Sequence, residues 1–253
     1  MWRSGRVRFS PQRALNDPFE FTATLDFHSI EQAFLEVERN KADFELDRPR
    51  FREMFPNLKD EQIDAALTAA LDEMRARRPR LPEEFFQELM ADAENNLLIF
   101  SCSANCESIP MWSHYTANHT GYQVGFDPNT MFAERTSHRH YPLRAHRISY
   151  VREAPPVAAD DGPTFKFALQ KLDDWQYEME WRYLSKVDAA DLRSPEASYF
   201  EFNRHAIRQV TFGLNASVDL VSRVQQEIEN LRLDCELLRV TKSAGRYGFH
   251  RQP

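Results

Sequence analysis

The stretch Leu97-Leu98-Ile99-Phe100-Ser101-Cys102 divides the chain into two parts of different character. Its short apolar run, bounded by small polar residues, is typical of a strand. Before it, apolar residues recur every three to four positions and predict helices at about 29–46, 60–77 and 81–96. After it, segments rich in β-branched and aromatic residues predict strands at 97–102, 122–126, 144–151, 181–186, 206–212 and 235–240.

Two more helices are predicted among the strands, at 164–175 and 218–231. Helices followed by strands, without a regular βαβ alternation, predict an α+β fold with a mixed or antiparallel sheet core. We expect a single α+β domain over residues 1–253, with a helical N-terminal insertion at about 29–96. The segment 153–163, with three prolines and a glycine, predicts a linker or mobile loop.

The charge balance of the chain limits its partners. The formal net charge is −7, and nonspecific affinity for nucleic acid needs a basic surface, so general nucleic-acid binding is not expected. A local basic patch is best placed at 135–152, where a solvated loop and strand edge is the simpler interpretation. No G-x-G-x-x-G or P-loop string occurs, so any nucleotide site uses another scaffold.

Cysteine content and hydropathy bear on the compartment. The chain has three cysteines and no C-x-x-C pair, which disfavours a secreted disulfide framework. No apolar run approaches the roughly 20 residues of a membrane helix, and the N-terminus lacks a signal-peptide core. We therefore expect a cytoplasmic location and no membrane contact.

The segment 175–182, W-Q-Y-E-M-E-W-R, carries the strongest candidate for chemistry. On a strand, Glu178 and Glu180 would point to one face, about 7 Å apart. One carboxylate could then hold a sugar hydroxyl while the other stabilises positive charge at an anomeric carbon. The simpler interpretation is that either glutamate pairs with Arg182 or with another basic group and holds the strand against its neighbours.

The segment 110–121, P-M-W-S-H-Y-T-A-N-H-T-G, predicts a short helix. Trp112 and Tyr115 are most simply core residues, and His114 is equally a satisfied buried histidine or a ligand contact. His114 and His119 are five residues apart, which does not suit a helical metal pair. No metal is predicted.

Two further segments could border a pocket. Ser101 and Ser103 would face one way from a strand end and offer hydrogen bonds to a ligand, although serine there is also ordinary turn chemistry. Cys102 would face the other way, as a small core residue. Asn16 and Asp17 read as an Asx turn that could also close one edge of the pocket.

Taken together, N-D-P-F-E at 16–20, the Ser-x-Ser strand end, M-W-S-H-Y at 111–115 and W-x2-E-x-E-W-R at 175–182 resemble the bacterial family called domain of unknown function 2971. The resemblance covers almost the whole chain, with the motifs in order. It implies no activity by itself.

The motif order is also similar to the R-S-E layout of ADP-ribosyltransferases, in which an arginine on the first strand, a Ser-x-Ser strand and a Glu-x-Glu strand together hold NAD. That resemblance implies that Ser101 and Ser103 form the serine motif and that Glu178 is the first glutamate. It makes Glu180 the catalytic glutamate that stabilises an oxocarbenium-like transition state. NAD would be the substrate.

Three hypotheses follow. The first is an NAD-using ADP-ribosyltransferase-like enzyme, such as a toxin or phage-defence effector, with Glu180 as key carboxylate, Glu178 in support and His114 lining the site. The second is a noncatalytic module on the same scaffold that binds a small molecule, a nucleotide or a protein partner. The third is a glycosidase-like or nucleotide hydrolase that uses the two glutamates. The predicted binding residues are Asn16, Asp17, Ser101, Ser103, Trp112, Tyr115 and Arg182.

The start of the chain departs from the family pattern. The resemblance places an arginine-bearing strand before the segment that matches Trp2 to Ser10. Arg3, Arg6 or Arg8 would have to replace the arginine that grips the NAD phosphates. We expect either a true start upstream or a shortened, inactive family member.

Overall fold

The computed structural model describes residues 2–26, 28–29, 32, 59, 61–63, 65, 81–132, 143–154, 156–157, 166–187, 194–245 and 249–252. The helices predicted at about 29–46 and 60–77 lie mostly outside these residues, as do most of the insertion 29–96 and of the segment 153–163. Helices and sheets are both present, and the predicted α+β class is confirmed.

The α-helices whose bounds fall within the described residues are α1 (Leu81–Asn96), α2 (Ile109–Tyr115) and α3 (Val218–Asn230). The strands are β1 (Arg6–Arg8), β2 (Ser10–Pro11), β3 (Thr24–Leu25), β4 (Leu97–Ser103), β5 (Tyr122–Phe126), β6 (Ala145–Arg147), β7 (Ser149–Val151), β8 (Pro156–Val157), β9 (Gln170–Leu172), β10 (Glu180–Lys186), β11 (Tyr199–Glu201), β12 (Ile207–Phe212), β13 (Glu236–Lys242) and β14 (Phe249–Gln252). Short 3₁₀ turns cover Gln12–Ala14, Lys166–Leu169, Asp173–Glu178, Pro195–Ser198 and Arg204–Ala206.

The chain divides into two compact units. The first, called the sheet unit below, consists of Met1–Glu20, Glu94–Arg152 and Leu169–Pro253; the second consists of Phe21–Ala93 and Glu153–Ala168. In the second unit β3 pairs in parallel with β8. The single-domain organisation over residues 1–253 stays a prediction.

The sheet unit contains two four-stranded sheets, in the orders β2-β4-β10-β6 and β14-β13-β12-β5. The first is antiparallel throughout. The second is mixed, because β12 and β13 run parallel. Parallel neighbours need a crossover connection, and α3 supplies it. The Ser217 hydroxyl caps α3 by accepting from the Leu220 amide, and α3 buries Val224 and Ile228.

The pairing of β4 with β10 positions the candidate site. Ser103 lies opposite Glu180, and Ser101 lies opposite Arg182. Because side chains alternate along a strand, Glu180 and Arg182 share one face of the sheet, and Trp181 and Tyr183 share the other. The Tyr183 face belongs to an aromatic core in which Phe9 stacks on Phe200, with ring centroids 3.8 Å apart.

Two predicted elements are wrong. Residues 166–178 form two 3₁₀ turns on either side of β9, where a helix was predicted at 164–175. Tertiary pairing with β7 overrides the helical pattern there. The strand predicted at 144–151 is interrupted at the buried Ile148, whose amide donates to the Glu180 carbonyl. The predicted helix at 81–96 and strand at 122–126 are confirmed with the same bounds.

Candidate functional site

Glu178 and Glu180 both contact Lys171, although they do not lie on one strand. Glu178 ends a 3₁₀ turn, Met179 has a left-handed backbone with φ 45°, and Glu180 begins β10. The prediction that one strand carries both glutamates is therefore wrong. Their carboxylates nevertheless converge, because Lys171 Nζ lies 2.7 Å from Glu178 Oε2 and 3.2 Å from Glu180 Oε2.

Five buried residues form what we call the ion network: Glu20, Lys171, Glu178, Glu180 and Arg182. Arg182 Nε donates to Glu180 Oε1 at 2.7 Å, and its Nη2 pairs with Glu20 Oε2. Lys171 Nζ also lies 3.2 Å from Glu20 Oε1. The simpler interpretation of the motif, a structural pair between Glu180 and Arg182, is confirmed.

Every carboxylate oxygen of the ion network has a partner. Lys171 and Arg182 together pair with all three carboxylates. The one carboxylate oxygen that pairs with neither cation, Glu178 Oε1, accepts a hydrogen bond from the Tyr115 hydroxyl at 2.7 Å. Buried charges are tolerated when they are paired and hydrogen-bonded in this way.

The pKa values of the ion network move in different directions. Burial raises the pKa of Glu20 despite the nearby cations. Burial also opposes ionisation of Glu180, but its hydrogen bond and charge pairing with Arg182 outweigh burial and lower its pKa. For Lys171, burial would lower the pKa, and the surrounding carboxylates raise it instead. Glu180 and Lys171 are therefore both charged at neutral pH.

Sequence reasoning missed two members of the ion network. Glu20 belongs to the N-D-P-F-E motif, in which only Asn16 and Asp17 were singled out, and the glutamate that ends the motif was the available signal. Lys171 fell inside the wrongly predicted helix. Lysine is seldom buried, so no sequence signal pointed to it.

Separate from these charges, the sheet unit contains a cleft of about 1120 Å³. Strands β4, β5 and β10 and helix α2 supply most of its walls, and β12 and β14 contribute Gln209 and Arg251. The walls are mainly aromatic and aliphatic. Among the described lining residues, the charged groups are Arg144 and Arg251, and no carboxylate lines the cleft.

The predicted site residues fall into three groups. Ser101, Ser103, Trp112 and Tyr115 line the cleft. Glu178, Glu180 and Arg182 belong to the ion network and are not among the described lining residues. Asn16, Asp17 and His114 belong to neither group. The structure thus does not gather the predicted residues into one pocket.

The residues outside both the cleft and the ion network, Asn16, Asp17 and His114, contact their neighbours in the chain or Tyr115. The Asx turn is confirmed, because Asp17 Oδ1 accepts from the Phe19 amide at 2.9 Å. The Asn16 side chain lies beside the Tyr115 hydroxyl. His114 is exposed and packs edge-on against the Tyr115 ring, so the interpretation as a buried histidine is wrong.

Trp112 is a core residue, as its simpler interpretation had it. Only 3% of its surface is exposed, and its indole nitrogen donates to the Cys106 carbonyl at 3.1 Å. Its ring stacks on His119, with ring centroids 5.9 Å apart. It therefore supports the cleft wall and offers little surface to a ligand.

Three cleft-lining side chains touch the ion network. The Tyr115 hydroxyl donates to Glu178 Oε1, and the Ser103 hydroxyl donates to the Glu178 carbonyl at 2.6 Å. Ser101 lies close enough to the Glu180 carboxylate to contribute to lowering its pKa. Burial, followed by the bond to Glu178, raises the pKa of Tyr115 to about 12. Tyr115 therefore stays a neutral donor at physiological pH, and the ion network fixes one end of the cleft.

Comparison with known proteins finds a family similarity over part of the chain. Residues 111–183 match the family described as Protein of unknown function (DUF2971). The match contains the M-W-S-H-Y and E-M-E-W-R motifs and confirms the predicted resemblance over this range. It is narrower than expected, because 16–20 and 97–103 lie outside it. No curated protein and no solved structure matches the chain.

The described residues contain neither a membrane-spanning helix nor a cluster of metal ligands. Within the described ranges, no helix is long and apolar enough to cross a bilayer. The same residues contain no group of three or more histidine, cysteine or acidic side chains placed to hold a metal ion. The cytoplasmic location stays a prediction.

Proposed function

We propose that the chain binds a nucleotide, with NAD as the first candidate, in the cleft of its sheet unit. In this proposal the ion network holds the cleft walls in position and takes no part in chemistry. The observation that carries the proposal is the charge of the cleft. Its described lining has two arginines and no carboxylate, although the whole chain carries a net charge of −7.

Both arginines suit a phosphate group. Arg144 is exposed and has no hydrogen-bond or ion-pair partner among the residues that the structure describes. Arg251 Nη1 donates to Gln209 Oε1 at 2.6 Å, and its other nitrogen lies 3.8 Å from Glu107 Oε1, too far for a strong pair. A guanidinium binds phosphate through two parallel hydrogen bonds, so these side chains favour an anionic ligand over a neutral one.

The size and walls of the cleft suit a ligand larger than a single ring. Ligand pockets commonly measure about 300–1,000 Å³, and this one, at about 1120 Å³, is slightly larger. Trp181 and Tyr115 line it with 37% and 46% of their surfaces exposed. Accessible rings of this kind favour stacking of a planar base or a nicotinamide ring.

The state of Glu180 favours binding without catalysis. Only 4% of its surface is exposed, and both of its oxygens are engaged by Arg182 and Lys171. A catalytic carboxylate has to reach the reacting atoms. The lowered pKa of Glu180 also works against the hydrolase alternative, which needs a protonated acid.

ADP-ribosyl transfer is the second candidate, and the strand arrangement favours it. The Ser-x-Ser strand β4 lies between β2 and the strand that begins with Glu180. Ser103 lies opposite Glu180 in the register of the two strands, so the serine and glutamate motifs are neighbours, as the resemblance implies. In this candidate, NAD binding would free Glu180 to stabilise the ribosyl cation as the bond to nicotinamide breaks and an acceptor nucleophile bonds to the ribose.

The R-S-E layout needs an arginine that binds phosphate. The residues expected to take that role here are not among the described lining residues of the cleft. Arg3 pairs with Glu227, and Arg6 pairs with Glu196. Neither they nor Arg8 is among the described lining residues. Arg144 and Arg251 are the candidates for this role in either proposal.

Calorimetric titration with NAD, together with chromatography of released nicotinamide, tests both candidates. We expect NAD to bind the wild type, and Arg144→Gln and Arg251→Gln each to weaken binding about tenfold, as loss of a charged hydrogen bond does. Arg223→Gln is the matched control, because Arg223 is an exposed arginine on α3 paired with Asp219.

The outcomes separate the candidates. Binding without nicotinamide release supports the binding module. Nicotinamide release by the wild type that is lost in a folded Glu180→Gln variant supports the transferase instead of the binding module. Absence of NAD binding, or equal weakening in all three arginine variants, contradicts the assignment of the cleft.

A further inference from the structure

The nucleotide proposal uses Arg144 and leaves the other positive charge at the edge strand β6 unassigned. Residues 135–152 contain five arginines, three histidines and no carboxylate. Their described part includes β6, which ends the order β2-β4-β10-β6 and has no strand on its outer side among the described residues. Arg144, His146 and Arg147 are exposed there. Arg152 is already neutralised, because its Nε lies 2.8 Å from Asp173 Oδ2.

An accessible indole lies beside this charge. Arg147 pairs in register with Trp181 of β10. Residues directly opposite each other project to the same face, with Cβ atoms about 4.5–5.5 Å apart. Trp181 is 37% exposed, which is unusual for a tryptophan in a central strand. A flat ring and a guanidinium are thus presented together at the sheet edge.

We propose that this edge binds single-stranded nucleic acid. A base stacks on Trp181, while Arg147 and Arg144 contact the adjoining phosphates. Proteins that bind single strands combine aromatic platforms with a basic track in this way, because every base has a π-face and every linkage a charge. A duplex keeps its bases stacked on each other and cannot offer one to Trp181.

The proposal agrees with the acidic net charge. A chain of net charge −7 gains little from long-range attraction, so binding depends on the local cluster and falls steeply with salt. The proposal shares Trp181 and Arg144 with nucleotide binding in the cleft. It differs in using Arg147, which is not among the described lining residues, and in leaving out Arg251, which lies on the other sheet.

Fluorescence anisotropy with labelled 16-nucleotide oligothymidylate and oligouridylate tests the proposal, at 50 and 200 mM KCl. We expect saturable binding that weakens as salt rises. Arg147→Gln should reduce the slope of log affinity against log salt by about 0.7, the value for one phosphate contact on a single strand. Trp181→Leu should weaken binding about fivefold or more with little change in slope, because one stacked base is lost.

Three comparisons keep the test specific. Arg223→Gln removes the same charge from exposed α3 and should leave oligonucleotide binding within about twofold. Trp181→Phe retains a ring and should recover most of the affinity that Trp181→Leu loses. Arg251→Gln should weaken NAD binding and leave the oligonucleotide unaffected, so failure of one proposal is visible apart from failure of the other. Melting temperatures establish that each variant is folded.

Several results would overturn the proposal. The first is the absence of an anisotropy change at 50 mM KCl with about 100 µM protein, a concentration near the upper end of nonspecific dissociation constants. The second is an equal effect of Arg147→Gln and Arg223→Gln. The third is a duplex that binds as tightly as the single strand. The last would assign the edge to phosphate charge alone, without stacking.

Discussion

Arg182 donates from Nε to Oε1 of Glu180, two residues earlier on the same strand, over 2.7 Å. Strand alternation puts the two side chains on one face, and Glu20 and Lys171 complete the group there. The residue that looks most catalytic in the sequence is therefore also a central member of a buried charge group.

Lys171→Met should destabilise the fold strongly. It removes the cation that contacts all three carboxylates and leaves Arg182 as their single described counter-charge. Removing one partner from a buried ion pair costs about 3–5 kcal/mol. Urea denaturation at pH 7 measures the change. Lys242→Met is the matched control at an exposed position and should stay within about 0.5 kcal/mol of the wild type. Equal effects would mean that the ion network does not stabilise the fold.

Cys102 should react slowly with iodoacetamide. Burial, followed by the charge of Glu180, raises the pKa of its thiol to about 12. At pH 8 roughly one thiol in ten thousand would be ionised, and the thiolate is the reactive form. Peptide mass spectrometry over time should show Cys235 modified well before Cys102, because Cys235, although its pKa is also raised, is less perturbed. Faster labelling of Cys102 than of Cys235 would contradict the raised pKa of the Cys102 thiol.

Gly213→Ala should disrupt the turn that follows α2. A Cβ at this position would lie 2.2 Å from the carbonyl oxygen of His119, whose ring stacks on Trp112. Because the obstacle is backbone, relief requires a chain shift, and we expect a loss of about 3 kcal/mol in urea denaturation. Gly125→Ala is the control, since its Cβ would meet Gln209 Cβ at an ordinary 3.4 Å. A Gly213→Ala variant as stable as Gly125→Ala would refute the close approach.

The sequence predicted those features that depend on local pattern. Alternation and β-branched content located β5 at its observed bounds, and helical periodicity did so for α1. The segment 166–178 was mispredicted because its conformation depends on pairing with β7, a contact between residues about 20 apart that periodicity does not encode. The convergence of Glu178 and Glu180 was foreseen, but the burial of Lys171 between them was not. A buried lysine follows from tertiary charge pairing, which no local signal reports.

Glu180→Gln and Glu20→Gln should differ in their pH dependence, although both change one carboxylate of the same ion network. The pKa of Glu180 is lowered on folding, so its charge contributes stability above the unfolded value of 4.5, and that stability is lost as the pH falls through the folded pKa. The pKa of Glu20 is raised, so its ionised form costs stability at neutral pH, and that cost disappears as the pH falls toward 4.5.

At pH 7, Glu180→Gln should therefore cost about 3 kcal/mol, as loss of a buried pair does, and Glu20→Gln about 1 kcal/mol. At pH 4 the two losses in the free energy of unfolding should approach each other. Protonation has by then removed part of the stability that ionised Glu180 contributes, and it has removed the cost of ionising buried Glu20. Urea denaturation at both pH values measures the four differences. A Glu180→Gln variant as stable as the wild type at pH 7 would mean that Glu180 does not hold the fold together. That result would return Glu180 to the catalytic role that the R-S-E layout implies, since a carboxylate free of a structural task can be released toward the cleft.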